Sequence, residues 1–260
     1  MLAVITGASS GLGAEFARKL AARKYNLLLV ARREDRLRSL AQDLLDLYHV
    51  NVDVLAADLT SGADREVVAK RIQDHPDLAL LVNNAGFGST GYFYETDIRR
   101  QMEMYELHVL ATARLCHAAV QNPSLKGIIN VSSVAAFVAA PQSVSYGSTK
   151  RWMNGFSQAL ALEMEATGKN VKVQALCPGF TLTEFHDQLN LDRGGVPKSF
   201  WMTADFVVRE SLKGYDQSRV IVIPGWRYKM LVALLNLVPE TLVRWGTVKS
   251  VKRYRRKKKA

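Results

Sequence analysis

The chain alternates between short apolar runs and longer segments in which apolar residues recur every three or four positions. Several runs are apolar throughout rather than at every second position, as strands are when helices cover both faces of a sheet. Leu37, Leu40 and Leu44 show the helical spacing between two such runs. The pattern predicts an α/β fold with a single doubly wound, Rossmann-like parallel sheet. The predicted strands are residues 2–6, 26–31, 52–56, 78–82, 128–131, 171–176 and 220–223.

Two segments interrupt this alternation. Residues 181–203, after the sixth predicted strand, are polar and contain Gly194, Gly195 and Pro197. They lie where α/β proteins bind ligands, and so they predict a mobile substrate loop or lid. The catalytic domain is predicted to cover residues 1–225, followed by an apolar helical extension over 226–248 and a basic, disordered tail over 249–260.

Composition limits the class of protein. The 260 residues are 48% hydrophobic and 23% charged, which is typical of a globular domain. The net charge of +11 is concentrated in eight Lys and Arg residues from Lys249 onward, so it is no argument that the folded domain binds nucleic acid. Cys116 and Cys177 are far apart and predict buried thiols, with no metal site.

The apolar stretches of the chain indicate where in the cell the protein is located. No cationic segment precedes an apolar run at the start of the chain, as a secretory signal would require. The longest apolar stretch, residues 230–238, is interrupted by Asn236 and is shorter than the ~20 residues of a membrane span. We therefore expect a cytoplasmic protein that contacts a membrane at most peripherally.

A glycine-rich turn follows the first predicted strand. It contains Gly7, Gly11 and Gly13, and a helical pattern begins at its end. Glycines allow a tight turn and a close approach of the backbone to a pyrophosphate, to which the helix N-terminus directs its N–H groups. Three glycines alone would also suit an ordinary turn between a strand and a helix.

Four further motifs follow in order along the chain, three of them at the ends of predicted strands. They are Asn83-Asn84-Ala85-Gly86, Ser132-Ser133, Tyr146-Gly147-Ser148-Thr149-Lys150 and Pro178-Gly179. With the glycine turn, they resemble the TGxxxGxG, NNAG, YxxxK and PG elements of the short-chain dehydrogenase/reductase family. The resemblance covers residues 1 to about 225 and implies an oxidoreductase that uses a nicotinamide cofactor, commonly a homodimer or homotetramer.

The resemblance assigns catalytic roles. Tyr146 would be the acid/base, Lys150 would tune it and hold the nicotinamide ribose, and Ser133 would bind the substrate oxygen, with Ser132 as the competing candidate. The spacing of four places Tyr146 and Lys150 on one helix face. A free tyrosine has a pKa of about 10, and a nearby ammonium group favours the phenolate. We therefore expect Lys150 to lower the pKa of Tyr146.

His108 departs from the family pattern. It stands in Leu107-His108-Val109-Leu110, where the family often has an asparagine that supports a water chain from the lysine. A neutral imidazole can donate and accept a proton, and it titrates near pH 6.5. His108 could therefore carry a proton relay, or it could be a buried histidine with a structural hydrogen bond.

Cofactor preference follows from the end of the second strand. An NAD-specific enzyme has an acid there, whereas this chain has Ala31 followed by Arg32 and Arg33, which suit a 2′-phosphate. Glu34 and Asp35 are expected to begin the next helix. The sequence thus predicts NADP(H). The predicted cofactor residues are Gly7, Ser9, Ser10, Gly11, Leu12, Gly13, Arg32, Arg33, Asp58, Asn84, Ala85, Gly86, Tyr146, Lys150, Pro178, Gly179 and Thr181.

The substrate pocket is expected to be apolar, which favours a ketone, aldehyde, steroid-like or acyl substrate. Its predicted lining is Ser133, Phe87, Phe137, Val144, Phe180, Phe185 and Trp201. A catalytically weak NADP(H)-binding scaffold remains an alternative to an enzyme. The C-terminal region allows three interpretations: a helix buried against the domain or a sister subunit with a solvated tail, peripheral attachment to an anionic membrane, or attachment to nucleic acid through the tail.

Overall fold

A computed structural model of the chain describes residues 1–185, 196–238, 241 and 246–249. Seven parallel strands form one sheet in the order β3-β2-β1-β4-β5-β6-β9, and β7 pairs with β8 in a small separate sheet. The fold class predicted from the sequence is confirmed. The strands are β1 (Leu2–Thr6), β2 (Asn26–Ala31), β3 (Val52–Ala56), β4 (Leu78–Asn83), β5 (Gly127–Val131), β6 (Lys172–Leu176), β7 (Thr181–Leu182), β8 (Met202–Thr203) and β9 (Ile221–Val222).

Helices cover both faces of the main sheet. A π-helical turn at Glu106–Ala111 joins α4 to α5, and short 3-10 turns occupy Val134–Phe137 and Lys198–Phe200. The helices are α1 (Gly11–Ala22), α2 (Glu34–Tyr48), α3 (Gly62–Gln73), α4 (Ile98–Tyr105), α5 (Thr112–Gln121), α6 (Val144–Ala166), α7 (Ala204–Asp216) and α8 (Trp226–Leu237).

Strand β1 shows why the predicted strands are apolar throughout. Ala3 and Ile5 belong to the buried cluster under α1, α2 and α7, whereas Leu2 and Val4 belong to the cluster under α3, α5 and α6. Successive side chains of a strand point to opposite faces, so a strand covered on both sides needs an apolar residue at every position.

The strand order positions the ligand site. Strand β1 pairs with β2 on one side and with β4 on the other. The connection that follows β1 and the connection that follows β4 therefore run to opposite faces of the sheet. A crevice forms at the carboxyl ends of the strands at such a point. The glycine turn after β1 and the Asn84–Gly86 segment after β4 lie at this crevice.

The predicted loop over residues 181–203 contains regular structure at both ends. Thr181 pairs with Met202 and Leu182 with Thr203, and this pairing closes the segment at its base. Residues 186–195 lie outside the described part, as does the predicted disordered tail apart from Lys249. Both cysteines are buried free thiols, as predicted. Among the described residues, no helix is long and apolar enough to cross a membrane.

Candidate active site

The backbone angles and close contacts of the glycine turn exclude larger residues. Gly7 and Gly11 have φ angles of +66° and +57°, in the left-handed region that L side chains rarely adopt. A Cβ on Gly7 would lie 2.8 Å from the Ala85 Cα, and one on Gly13 would collide with the Gly7 carbonyl oxygen. The turn therefore needs glycine at all three positions. It brings the start of α1, with its free N–H groups, to the crevice.

Thr6 and Asn84 hold this turn against the end of β4. The Thr6 hydroxyl accepts hydrogen bonds from the N–H groups of Asn84 and Ala85, each at 3.0 Å. The Asn84 Nδ2 donates to the carbonyl oxygens of Thr6, at 2.9 Å, and Gly7, at 3.1 Å. Sequence reasoning had not assigned Thr6 a role, although the same threonine opens the glycine motif.

The two arginines after β2 differ in their environment. The Arg32 side chain is 69% exposed, and its guanidinium lies 3.8 Å from the Asp58 carboxylate. The Arg33 guanidinium donates to the hydroxyls of Ser9 and Ser10, at 3.1 and 2.9 Å, and is thereby fixed to the glycine turn. Arg32 thus has the greater freedom to contact a ligand, whereas Arg33 shapes the turn.

Glu184 reaches across the crevice to the same region. Its carboxylate accepts from Arg33 at 3.1 Å and from Arg36 at 2.6 Å. Hydrogen bonds from Arg36 and Arg33 lower the pKa of Glu184. For Asp58, burial acts to raise the pKa, but hydrogen bonds from the Thr60 N–H and hydroxyl, helped by the charge of Arg32, leave it lowered. Both carboxylates are therefore ionised at neutral pH.

The two serines after β5 have different partners. Ser132 donates from Oγ to the Lys150 carbonyl oxygen at 3.0 Å, and this bond ties β5 to α6. Ser133 accepts from the Ala135 N–H at 3.1 Å and keeps its own hydroxyl proton for another acceptor. The Ser133 hydroxyl also makes a side-chain hydrogen bond that lowers the pKa of Tyr146. Ser133 therefore fits the substrate-binding position better than Ser132.

Tyr146 and Lys150 lie one turn apart on α6 and both line the cavity. Burial raises the pKa of Tyr146 to about 12, and the Ser133 hydroxyl opposes that shift. Burial also lowers the pKa of Lys150 to about 7. The Lys150 Nζ donates to the Val131 carbonyl oxygen at 2.8 Å and lies 5.7 Å from the Tyr146 ring centroid. The expectation that Lys150 leaves the Tyr146 pKa below its usual value is therefore wrong, because burial raises this pKa instead.

His108 is fully buried in the π-helical turn. Its Nε2 accepts from the Phe87 N–H at 3.3 Å, so the ring proton is assigned to Nδ1, which lies 3.0 Å from the Thr149 hydroxyl. That hydroxyl donates to the Tyr146 carbonyl oxygen at 2.9 Å. Burial, and then the charge of Lys150, places the His108 pKa well below 6.5. The imidazole is therefore a neutral bridge between Phe87 and Thr149 of α6.

A cavity of about 640 Å³ joins these groups. Every predicted cofactor residue except Gly13 lines it, as do Ser133, Phe87, Phe180 and Phe185. Phe137, Val144 and Trp201, which were also predicted, are not among its lining residues. Val144 is exposed at the start of α6, and Trp201 packs on Phe180, with 5.3 Å between ring centroids. These side chains lie on the neighbouring elements but not at the cavity wall.

Two groups of lining residues were missed by sequence reasoning. Arg100 on α4 places its guanidinium 3.6 Å from the Phe87 ring centroid and donates to Glu103 at 2.9 Å. Leu231, Val232 and Leu235 of α8 supply another wall. The cavity wall therefore includes aliphatic side chains of α8 and the Arg100–Glu103 ion pair. No cluster of potential metal ligands occurs within the described ranges.

Comparison with known proteins identifies the family. A profile of the short chain dehydrogenase family matches residues 1–194, about three quarters of the chain. The chain belongs to the short-chain dehydrogenase family. The resemblance inferred from the motifs is thereby confirmed at the level of an oxidoreductase family with a nucleotide-binding Rossmann-like fold.

Two solved structures share most of this architecture. A short-chain dehydrogenase from Sphingobium yanoikuyae, solved with NADPH, is 32% identical, with a TM-score of 0.81 over 97% of this chain and 93% of that chain. The bulky-bulky ketone specific alcohol dehydrogenase from Comamonas testosteroni is 30% identical, with a TM-score of 0.77 over 97% and 92%.

A human relative gives a different indication of activity. The human inactive hydroxysteroid dehydrogenase-like protein 1 is 29% identical over 256 residues, which are 94% of this chain and 74% of the human protein. Membership of the family therefore does not by itself establish turnover. Whether this chain catalyses a reaction depends on the residues of its own site.

Proposed function

We propose that this short-chain dehydrogenase is an NADP(H)-dependent oxidoreductase, which transfers a hydride between nicotinamide and a carbonyl or alcohol carbon of an apolar substrate. The observation that carries the proposal is the placement of Ser133, Tyr146 and Lys150 on one cavity, with Tyr146 protonated. Such a group can protonate an oxygen that gains negative charge during carbonyl reduction.

The crevice fits a nicotinamide dinucleotide, which when bound would supply the hydride. The glycine turn and the start of α1 line the cavity, where their N–H groups can bind a pyrophosphate. Asp58 would contact the adenine, and Lys150 would hold the nicotinamide ribose.

Several observations support NADP(H) over NAD(H). Ala31 stands where an acid would bind a ribose 2′-hydroxyl, and Arg32 beside it is exposed at the cavity. A guanidinium forms strong charge-assisted bonds with phosphate oxygens. The related Sphingobium enzyme was solved with NADPH.

The protonation of the site supports reduction at neutral pH. With a pKa of about 12, Tyr146 holds its proton until the substrate oxygen takes it. The Ser133 hydroxyl donates to the same oxygen and fixes its position. Because the pKa of Lys150 is about 7, a modest change in its surroundings moves it between the neutral and charged forms.

The cavity supports a bulky apolar carbonyl compound as the substrate. Phe87, Phe185 and Leu235 line the same cavity as Tyr146, and the Phe185 ring centroid lies 5.9 Å from that of Tyr146. The Comamonas relative is specific for ketones with two bulky substituents.

We expect a homodimer or homotetramer in the cytoplasm.

A catalytically weak NADP(H)-binding scaffold is the second candidate. It is favoured by the human relative, whose name states that it is inactive. The presence of Ser133, Tyr146 and Lys150 on the cavity of this chain argues for the enzyme instead.

A panel of bulky ketones, tested with NADPH and with NADH, separates these candidates. The absorbance of the reduced cofactor is followed after each ketone is added. We expect steady NADPH oxidation with at least one bulky ketone, at a higher kcat/KM than with NADH. Tight NADPH binding without oxidation across the panel would favour the scaffold.

A further inference from the structure

Helix α8 is anchored to the domain by one face. Tyr228 and Val232 are 3% and 5% exposed. The Tyr228 hydroxyl accepts from the Phe180 N–H at 2.9 Å and donates to the Phe200 carbonyl oxygen at 2.8 Å. Gly179 allows this contact, because a Cβ there would collide with the Tyr228 ring. The helix is therefore held in a fixed orientation on the body.

The opposite face of α8 is an exposed apolar stripe. It comprises Trp226, Met230, Leu234 and Leu237, which are 63%, 51%, 52% and 78% exposed. Their spacing places them along one side of the helix. The helix carries two cations, Arg227 and Lys229, and no acidic residue. An exposed apolar surface with basic neighbours is typical of helices that lie in a membrane interface.

The charge of the chain is concentrated in the same region. Residues 226–260 contain 11 of its 35 Lys and Arg residues and 1 of its 24 Asp and Glu residues. Residues 1–225 are therefore almost neutral. A segment with this balance is attracted to an anionic surface, and each cation raises the partition coefficient about fivefold.

We propose that the outer face of α8 binds an anionic lipid bilayer, with the helix parallel to the surface and the C-terminal cations against the headgroups. A second copy of the chain fits this face less well, since it would bring another strongly basic segment close to the first. A nucleic acid would attract the cations but would leave the apolar stripe in water.

The membrane contact also places the cavity at the lipid surface. Leu231, Val232 and Leu235 of the same helix line the cavity, so its wall and the lipid-facing stripe belong to one element. An apolar substrate dissolved in the bilayer would then enter without crossing water. This last step rests on the proposed function, whereas the binding of lipid does not.

Cosedimentation of the full chain with vesicles tests the contact without using activity. We expect binding to vesicles that contain phosphatidylglycerol and none to pure phosphatidylcholine. Raising NaCl from about 0.05 M to about 0.5 M should release the protein, because screening shortens the range of the attraction. Truncation after Lys249, which removes seven of the 11 Lys and Arg residues of this region, should remove most of the salt-sensitive part of the binding.

The double variant Leu234→Gln/Leu237→Gln tests the apolar stripe. Neither side chain lines the cavity, so NADPH binding should be unchanged. Vesicle affinity should fall about tenfold or more, since two leucines no longer enter the lipid. The matched control is Leu47→Gln/Val67→Gln, which changes exposed apolar residues on α2 and α3 and should bind vesicles like the wild type.

Three results would overturn the proposal. The first is an absence of binding to anionic vesicles at low salt. The second is wild-type binding by Leu234→Gln/Leu237→Gln, which would leave only a tail attraction. The third is a dimer that dissociates in this variant, because the stripe would then be a subunit interface. Ketone reduction in solution is measured separately, so its failure would not bear on the lipid contact.

Discussion

Replacing Lys150 by methionine should change how the stability of the protein depends on pH. The folded chain releases the Lys150 proton near pH 7, because the pKa of the buried amine is lowered to about 7. An unfolded lysine keeps its proton to about pH 10.4. Between these values the unfolded state binds more protons, so the stability of the wild type rises with pH. Methionine has a similar length and no charge, and it removes this contribution.

The size of the stability change follows from the difference between the pKa of Lys150 in the folded and unfolded chain. Each pH unit in the window contributes about 1.4 kcal/mol, so the wild type should gain about 2 to 3 kcal/mol between about pH 7 and about pH 9 relative to Lys150→Met. Below pH 7 both states of the wild type are protonated, and the buried ammonium destabilises the fold most. The variant should therefore have its largest advantage at low pH and lose it as pH rises.

Urea unfolding at several pH values, followed by circular dichroism without cofactor, measures this difference. The matched control is Lys213→Met, on the exposed face of α7, whose stability should follow the wild type at every pH. A constant difference between the wild type and Lys150→Met across the window would refute the reasoning. It would mean that the amine keeps its ordinary pKa in the fold.

Two further substitutions test the cofactor and histidine assignments. Arg32→Ala should weaken NADPH about ten- to hundredfold and NADH little, since a charge-assisted bond to the 2′-phosphate is lost; equal weakening in fluorescence titrations would exclude that contact. His108→Asn should leave the shape of the pH–rate profile unchanged, because the His108 pKa lies well below 6.5. The loss of an inflection between about pH 6 and 7 in that variant would instead support a proton relay.

The strand pattern and the motifs were sufficient to predict the sheet and much of the cavity wall. Strands β1, β2 and β3 begin and end where the apolar runs predict. Apolar residues at every position reflect burial on both faces, and this property is local to each strand. Glycine spacing is equally local, since Gly7 and Gly11 require left-handed backbone angles within one turn. Features set by neighbouring residues could therefore be predicted.

Features set by distant parts of the chain could not. Leu235 lines the cavity because Tyr228 docks α8 on Gly179, and no periodicity encodes which surface a helix docks on. Burial raises the pKa of Tyr146, whereas the sequence shows the neighbouring lysine but not the burial. Arg100 likewise reaches the cavity through its contact with the Phe87 ring.

The most direct test of the proposed chemistry is the rate of NADPH oxidation by Tyr146→Phe with a ketone that the wild type reduces. Removal of a positioned proton donor should lower turnover by roughly 10²- to 10⁴-fold, while NADPH affinity and folding stay close to wild type. Tyr94→Phe, at a tyrosine that is 72% exposed and does not line the cavity, should keep full activity. Near-normal turnover by Tyr146→Phe would contradict the assignment of Tyr146 as the proton donor.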